Sequence, residues 1–363
     1  MKLSKIASTA FLAAATAAAS LLPATAAAKQ PRPYGDVQVL ATFPTPPGFP
    51  EGIAVKGNKV YVSGPARFGT AGTGPSTVVA YNRDTGATEA TYTTQGEALA
   101  YEHANSCIAF DGNGKLYVLN IQLGMYRIDT GSGQQESYSE PFPDLPSCDG
   151  NNAPCSPTLF DAPSLPNDIA FDEDGNAYVT DSLQATIWRV PAGGGAPQVY
   201  FQDARLGTVP NGIGANGIRL SPDRSKLFVV VSIDPTGMPF IYTLPLVAQP
   251  QASDLTVFKA FAPGDIPDGI AFGKSSNLYV AIATPLASGI AVLNPSGAET
   301  GRLTNPAGSP VFPYDSPANV AFDGHGSLLV TNHAFATGIP ANFTVLDVYV
   351  GDKGSPLSKP DLP

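Results

Sequence analysis

Six residues with oxygen-bearing side chains recur along the chain, each beside a short apolar triplet such as Ile-Ala-Phe. They are one glutamate, one aspartate and four asparagines, spaced 54, 62, 49, 52 and 51 residues apart: Glu51, Asn105, Asn167, Asn216, Asp268 and Asn319. Hard cations such as Ca²⁺ take about six to eight oxygen ligands from carboxylates, amide carbonyls and water. If these side chains converge, the two carboxylates neutralise the ion and the amides complete its coordination.

The elements that must position these residues repeat as well. Each triplet is followed by a turn of DGNG, DEDG, SPDRS or DGHG type and then by a second apolar run such as LYV. This pattern predicts a tight β-hairpin. Hairpins repeated about every 50 residues are typical of a β-propeller. Six copies therefore predict an all-β, six-bladed β-propeller with four-stranded blades, closed by the N-terminal run VQVLATF (37–43), which pairs into the last blade.

In a propeller the innermost strands run in one direction along the central channel. The residue before each innermost strand therefore lies at the same mouth of the channel, and the six polar residues are predicted to form a ring there. For any single copy, hydrogen bonds from Asn or Asp to nearby backbone explain the residue equally well. Six matched copies with only two carboxylates favour a metal site.

Composition narrows the class of protein and its partners. Charged residues make up 14% of the chain, whereas Gly (37) and Pro (36) are abundant, which fits a turn-rich β protein. The net charge is −10 and no basic cluster occurs, so nucleic acid and anionic membranes are not expected partners. The sequence does not address the oligomeric state.

The N-terminus is predicted to be an export signal. Residues 1–28 combine the basic start MKLSK, an apolar Ala-rich stretch and a small-residue cleavage site before Lys29. We therefore expect one mature domain, residues 29–363, without a membrane span, in the periplasm or outside the cell.

A long insertion, residues 138–164, separates the second and third copies and should overhang the channel mouth, either as decoration or as a substrate lid. It contains Cys148 and Cys155, which flank DGNNAP. In an exported protein we expect these two cysteines to form a disulfide that closes a small loop. Cys107, in the apolar run SCIAF, is expected to be a buried free thiol.

Four of the motifs resemble the six-bladed propellers of the senescence marker protein (regucalcin), gluconolactonase and strictosidine-synthase-like group, and most closely the gluconolactonase branch. The motifs are FPEGIAV with Glu51, PNDIAF with Asn167, ANGIRLSPD with Asn216 and PDGIAF with Asp268. The resemblance implies that Glu51, Asn216 and Asp268 bind one divalent metal, with Asn167 at the metal or the substrate. Sugar lactonases of this group carry an arginine two residues before the Asn167 position. Leu165 stands there in this chain, so a less polar substrate is expected.

The activity that the resemblance implies is hydrolysis of a lactone or similar ester by metal-activated water. Ca²⁺ is the expected ion, with Zn²⁺ or Mn²⁺ as alternatives. Asp268 or Glu51 would accept the proton of the attacking water and are the predicted catalytic residues. Residues predicted to bind the substrate are Asn105, Asn167, Asn319 and His333. No G-x-S-x-G motif occurs, so a nucleophilic serine is not expected.

Three alternatives stay open at the level of sequence. His333, after the second strand of the sixth hairpin, could act as a base or simply be hydrogen-bonded at a strand end. The protein could be a non-enzymatic exported propeller in which a structural Ca²⁺ supports binding of a ligand or protein partner. A strictosidine-synthase-like condensation uses a glutamate without a metal ring, and the four oxygen ligands make it the weaker interpretation.

Overall fold

The computed structural model describes residues 32–146, 148 and 164–363. The described chain from Pro33 onwards forms one compact unit of six four-stranded antiparallel sheets. The prediction of an all-β, six-bladed propeller is therefore confirmed. The predicted export signal (1–28) and most of the insertion (138–164) lie outside the described residues and remain predictions. No helix in the described part of the chain is long and apolar enough to cross a membrane.

The first three blades follow one another along the chain, each beginning with its innermost strand. Blade 1 contains β2 (Ile53–Lys56), β3 (Lys59–Gly64), β4 (Thr77–Asn82) and β5 (Thr88–Thr93). Blade 2 contains β6 (Asn105–Phe110), β7 (Leu116–Asn120), β8 (Gly124–Ile128) and β9 (Gln135–Ser137). Blade 3 contains β10 (Pro166–Phe171), β11 (Ala177–Asp181), β12 (Thr186–Val190) and β13 (Gln198–Gln202).

The other three blades have the same strand order. Blade 4 contains β14 (Ala215–Leu220), β15 (Lys226–Val231), β16 (Phe240–Pro245) and β17 (Thr256–Ala260). Blade 5 contains β18 (Pro267–Phe272), β19 (Leu278–Ile282), β20 (Gly289–Leu293) and β21 (Glu299–Thr304). Blade 6 contains β22 (Pro317–Phe322), β23 (Ser327–Asn332), β24 (Thr344–Tyr349) and β1 (Val37–Thr42).

The N-terminal strand closes the ring, as the sequence predicted. β1 pairs antiparallel with β24, with Val37 opposite Val348 and Thr42 opposite Thr344. Blade 6 is thus built from both ends of the domain. This pairing fixes the last blade to the first, so that the ring of blades is complete.

Each inner hairpin forms where the predicted Asp/Gly turn lies. In blade 3, Asp172 Oδ1 accepts the backbone N–H of Asn176 at 2.8 Å, and Gly175 takes the positive φ of 90° that the turn requires. The core lies between neighbouring blades. Ile187 of blade 3, for example, belongs to the same buried cluster as Ile218 of blade 4.

The described ends of the insertion are fixed to blade 3. Phe142 packs against Trp188, with ring centroids 5.9 Å apart, and Gln184 Oε1 accepts the backbone N–H of Leu145 at 2.7 Å. Cys148 is buried, but Cys155 lies outside the described residues, so the disulfide between them stays a prediction. The expectation for Cys107 is confirmed, because this residue is a buried free thiol.

Candidate metal centre at the channel mouth

A β-bulge near the start of the innermost strand sets the geometry of the mouth. In β10 the pairing with β11 moves from Pro166–Asp181 to Ile169–Val179, so that Asn167 and Asp168 together face Thr180. The same shift occurs in β6, β14, β18 and β22. A bulge of this kind places two residues against one and changes the direction of their side chains.

The first blade uses an equivalent arrangement. The backbone N–H of Glu51 donates to the Ser63 carbonyl at 2.9 Å, and the Ser63 N–H donates to the Gly52 carbonyl at 3.1 Å. Glu51 and Gly52 therefore also share one partner residue. Every blade thus presents two consecutive residues, here called the first and second bulge positions, at the mouth of the channel.

The register corrects the sequence alignment at two of six positions. The first bulge positions are Glu51, Ser106, Asn167, Asn216, Asp268 and Ala318. Four predicted residues occupy them, whereas Asn105 lies one residue earlier and Asn319 one residue later. The error arose because the copies were aligned on their polar residues, whereas the apolar triplet fixes the register.

The Asn105 side chain is used within its own blade. Its Nδ2 donates to Thr94 Oγ1 at 2.8 Å, and its Oδ1 accepts from Asn120 Nδ2 at 2.9 Å and from Tyr126 OH at 3.3 Å. The residue is fully buried. These bonds give its amide a structural role in blade 2, and its contact with a substrate stays a prediction.

Hydroxyl groups connect neighbouring blades around the mouth. Thr331 Oγ1 of blade 6 donates to the Glu51 carbonyl of blade 1 at 2.6 Å. Four more bonds of this type join blades 1 to 2, 2 to 3, 3 to 4 and 4 to 5: Ser63 to Ser106, Ser106 to Pro166, Thr180 to Asn216, and Ser232 to Pro267. These bonds fix the backbone at the bulges and hence the positions of the side chains.

Close contact between neighbouring inner strands explains the glycines of the EG, NG and DG motifs. A Cβ atom at Gly217 would lie 2.5 Å from the Asp268 carbonyl oxygen, and one at Gly52 would lie 2.7 Å from the Cys107 Cα. Only glycine allows this approach. The motif therefore pairs a ligand-type residue with the glycine that lets the blades meet.

Three of the four candidate ligands carry a buried oxygen without a hydrogen-bond partner among the described residues. They are Asn167 Oδ1, Asn216 Oδ1 and Asp268 Oδ1. Buried polar atoms are normally paired, so three such oxygens at equivalent positions in consecutive blades require an explanation. A hard cation fits this set, because carboxylate and amide oxygens are the ligands it prefers.

The electrostatics of the site agree with this fit. Burial raises the pKa of Glu51 to about 8, and the charge of Asp168 adds to the shift. Burial also raises the pKa of Asp268 well above its ordinary value, with further contributions from Glu51 and Asp168. The carboxylates therefore lie close together in a dry region where a positive charge would stabilise their ionised forms.

Asp168, at the second bulge position of blade 3, and Arg219 were not assigned to the site from the sequence, whereas Asn319, at the second bulge position of blade 6, was. Asp168 forms an ion pair with Arg219, whose Nη1 lies 2.5 Å from Asp168 Oδ2. Arg219 Nη2 also donates to Asn319 Oδ1 at 3.3 Å, and Asn319 Nδ2 donates to Cys107 Sγ at 2.9 Å. These contacts cross the channel and join blades 2, 3, 4 and 6 below the mouth.

A sequence feature does mark Arg219. It occupies the middle position of its apolar triplet, where the other five blades have alanine: Ala54, Ala109, Ala170, Ala271 and Ala321. The small alanines leave space at this level of the channel. One arginine among five alanines therefore could have indicated a side chain that extends across it.

The charges around the mouth are unbalanced without a cation. Glu51, Asp168 and Asp268 contribute three negative charges and Arg219 contributes one positive charge, so the sum is −2 when all are ionised. All four act on the Cys107 thiol, whose pKa is raised first by burial and then by Asp168 and Glu51. A divalent ion would bring this sum to zero.

The donor set includes two amides besides its carboxylates. The described residues contain no group of three or more His, Cys, Asp and Glu side chains placed to hold a metal. The oxygens of Glu51, Asn167, Asn216 and Asp268 would suit a hard ion such as Ca²⁺.

His333 lies beside the candidate ligands. Its Nε2 is 3.9 Å from Glu51 Oε2 and 2.8 Å from the Ala66 carbonyl oxygen. Burial lowers the pKa of His333 to about 4, so the ring is neutral at pH 7. With a proton on Nε2, the ring donates to Ala66 and packs against Glu51.

A cavity lies at the opposite end of the channel. It has a volume of about 450 Å³ and is bounded by the inner-strand turns, Arg219 and the C-terminal residues 354–359. None of the four candidate ligands lines it. The chemistry-bearing oxygens are therefore at the mouth, and the Arg219 ion pair separates them from this cavity.

Several solved structures share this fold. Regucalcin, a calcium-binding protein from Agrobacterium tumefaciens, is 16% identical, with a TM-score of 0.61 over 91% of this chain and 98% of that chain. The gluconolactonase XC5397 from Xanthomonas campestris is 17% identical, with a TM-score of 0.55 over 87% and 89% of the two chains. A luciferin-regenerating enzyme is 16% identical, with a TM-score of 0.59 over 90% and 100%. At these identities the likeness concerns the fold alone.

The sequence itself matches a family model. No curated protein sequence matches the chain, but the model described as the SMP-30/gluconolactonase/LRE-like region matches residues 75–333. This range is more than half of the chain and includes Asn167, Asn216, Asp268 and His333, although Glu51 precedes it. The chain therefore belongs to the SMP-30/gluconolactonase/LRE-like family.

Proposed function

We propose that this protein is a divalent-metal-dependent hydrolase of lactones or related esters. The observation that carries the proposal is the set of unpartnered, buried oxygens of Asn167, Asn216 and Asp268 beside Glu51 at one mouth of the channel. Membership of a gluconolactonase-like family supports the reaction class. Ca²⁺ is the proposed ion, and Zn²⁺ and Mn²⁺ are the alternatives to test.

The four candidate ligands would hold the metal, which when bound would supply Lewis acidity for a substrate carbonyl. Asp268 is half-buried although its Oδ1 is shielded from water. One side of this carboxylate can therefore face a substrate. Asn167 is half-buried in the same way and would orient the substrate.

Proton transfer is assigned to the carboxylates and not to His333. A general base works best when its pKa lies near the working pH. The pKa of His333 is lowered to about 4, so its neutral ring is a weak base. A bound cation would favour the ionised forms of Glu51 and Asp268, so these carboxylates are the proposed acceptors for the proton of an attacking water.

The test compares metal-free and metal-loaded protein. Lactone hydrolysis would be followed by acid release after treatment with a chelator and after return of Ca²⁺, Zn²⁺ or Mn²⁺. Asp268→Asn removes the carboxylate and keeps the shape of the side chain. Asp174→Asn, at an exposed hairpin turn on the far face, is the matched control.

We expect activity that depends on the metal, is lost in Asp268→Asn and is kept in Asp174→Asn. Melting temperature serves as a second measurement. If Ca²⁺ raises the melting temperature of the protein but no lactone or ester is hydrolysed, the site is structural and the hydrolase proposal fails. The protein would then be better described as a propeller that binds a ligand or partner.

A further inference from the structure

We propose that the substrate carries an apolar substituent, an alkyl chain or an aryl group, which binds to an aromatic surface beside Glu51. This inference rests on the proposed hydrolase function and names its substrate class. The surface, here called the aromatic rim, consists of Phe49, Phe68 and Phe335 around the His333 ring. It extends from the candidate metal ligands to solvent.

His333 connects the rim to the candidate metal centre. Its Nε2 lies 3.9 Å from Glu51 Oε2, and on its solvent side the ring stacks on Phe335, with centroids 6.0 Å apart and planes at 14°. Phe335 is 66% exposed. A substrate whose carbonyl reaches Glu51 would therefore bring its neighbouring groups against an exposed aromatic ring.

The loop between β3 and β4 supplies a second exposed ring on the same side. The Ala66 carbonyl accepts a hydrogen bond from His333 Nε2 at 2.8 Å, so this loop touches the His333 ring. Phe68 follows two residues later and is 59% exposed. Phe335 likewise lies two residues from His333, so one hydrogen bond holds both loops together.

Phe49 gives the rim a fixed base. Its ring makes an edge contact with His333 at 5.6 Å and a tilted contact with Phe343 at 4.6 Å. The Arg67 guanidinium lies over the Phe49 ring at 4.6 Å. These contacts hold Phe49 in place without covering Phe68 and Phe335, so the apolar surface is formed before a substrate binds.

The side of the mouth next to Asn167 is also apolar at its edge. Leu165 is half-buried two residues before Asn167. Its backbone is fixed, because its N–H donates to Asp181 Oδ1 at 3.1 Å and its carbonyl accepts from the Ser182 N–H at 3.0 Å. A polyhydroxylated substrate would leave hydroxyl groups facing Leu165 and the phenylalanines, whereas an alkyl or aryl group would bury these surfaces from water.

The experiment measures kcat/KM for lactones that share one ring and differ only in the length of an alkyl substituent, with a sugar lactone for comparison. We expect kcat/KM to rise about twofold to fourfold for each added methylene that reaches the rim. The ratio of kcat/KM between long-chain and unsubstituted lactones should fall about tenfold in Phe335→Ala, chiefly through KM, and by a smaller factor in Phe68→Ala.

Two further variants make the result specific. Tyr34→Ala removes an aromatic residue of similar exposure, 59%, that precedes the outermost strand of blade 6 at the opposite face. It should leave the long-to-short ratio unchanged. Phe335→Leu keeps an apolar side chain and should restore most of the ratio. Because Phe335 is largely exposed, melting temperatures should show that each variant is folded.

The outcomes separate the two proposals. If unsubstituted lactones are hydrolysed but kcat/KM does not depend on chain length, the inference is wrong and the hydrolase function stands. The same holds if Phe335→Ala changes the ratio no more than Tyr34→Ala. If no lactone is hydrolysed with any of the three metals, the proposed function fails and the substrate class fails with it.

Discussion

Replacing Arg219 with methionine would leave Asp168 as a buried carboxylate without its cation. The side chain of Asp168 is 2% exposed and that of Arg219 is 13% exposed. Removing one partner of a buried ion pair typically costs about 3–5 kcal/mol of folding free energy. Asp168 would keep hydrogen bonds from the Ile218 N–H at 3.0 Å and from its neighbour Ile169, which favours the lower end, about 3 kcal/mol.

Asp168→Asn in the Arg219→Met background removes the remaining charge. Asparagine can still accept the hydrogen bond from Ile218 with its carbonyl oxygen. We therefore expect the double variant to recover about 2 kcal/mol relative to Arg219→Met alone, since an apolar replacement of a whole ion pair is often nearly neutral. Arg219→Lys keeps the charge but loses the fork geometry and should lie between the wild type and Arg219→Met.

Urea unfolding of the metal-free protein measures these differences. Trp188 is 1% exposed and reports loss of the core by fluorescence, and circular dichroism should give a coincident transition. Bound Ca²⁺ should reduce the cost of Arg219→Met, because it supplies positive charge near Asp168. A cost below about 1 kcal/mol, or a double variant equal to the sum of the single variants, would refute the reasoning.

Three further predictions concern the same mouth. The metal-free protein should lose stability as the pH rises from 6.5 to 8, because folded Glu51, with a pKa of about 8, binds a proton that the unfolded chain has released. The opposing effect of His333, whose folded pKa is lowered to about 4, acts only below about pH 6.5. Melting temperatures of wild type and Glu51→Gln check this: the slope should be smaller in the variant, where the raised pKa of Asp268 still contributes, and an unchanged slope contradicts the prediction. Asn216→Ala should weaken Ca²⁺ binding at least about tenfold in calorimetry, whereas unchanged affinity would remove Asn216 from the ligand set. Thr331→Val should cost about 1–3 kcal/mol by leaving the Glu51 carbonyl and the Asn319 N–H unpaired, and Thr331→Ser, which keeps the hydroxyl, should restore stability in urea unfolding.

The fold could be predicted because its hairpins leave a regular trace in the sequence. Short apolar runs joined by Asp/Gly turns recur at each blade, and the first run at Val37 lacks the turn and second strand of a hairpin. The blade number and the closing strand follow from these features. Four residues of the mouth could be predicted in the same way. Glu51, Asn167, Asn216 and Asp268 are polar residues that lie at a constant distance before the apolar triplet of their blade.

The register at Asn105 and Asn319 could not be predicted in this way. Whether a polar residue lies at the first bulge position, before it or after it depends on the pairing with the second strand. The apolar triplet fixes that pairing, so a shift of one residue places Ser106 and Ala318 at the mouth. Asn105 is then free to bond within blade 2.

The ion pair below the mouth depends on contacts that are distant in sequence. Asp168 lies in the motif PNDIAF, and Arg219 occupies the triplet position where the other five blades have alanine. Both residues can be read from the sequence as charged, but Asp168 lies in blade 3 and Arg219 in blade 4, so the sequence does not show that they meet. Only the arrangement of blades around the channel brings them together and adds Asn319 from blade 6.

The bulges allow the set of donor side chains at the mouth to change by substitution while the fold is kept. The backbone at each mouth position is fixed by strand pairing and by hydroxyl bonds between blades, and of the bonds described above only the one from Ser106 uses the side chain of a first bulge residue. Each blade thus supplies one position at the mouth where the type of side chain can vary while the fold stays the same. Ser106 and Ala318 are the two first bulge residues without a carboxylate or amide side chain. A single substitution at Ala318 would add a donor to the ring without removing a hydroxyl bond between blades, whereas one at Ser106 would lose its bond to the Pro166 carbonyl.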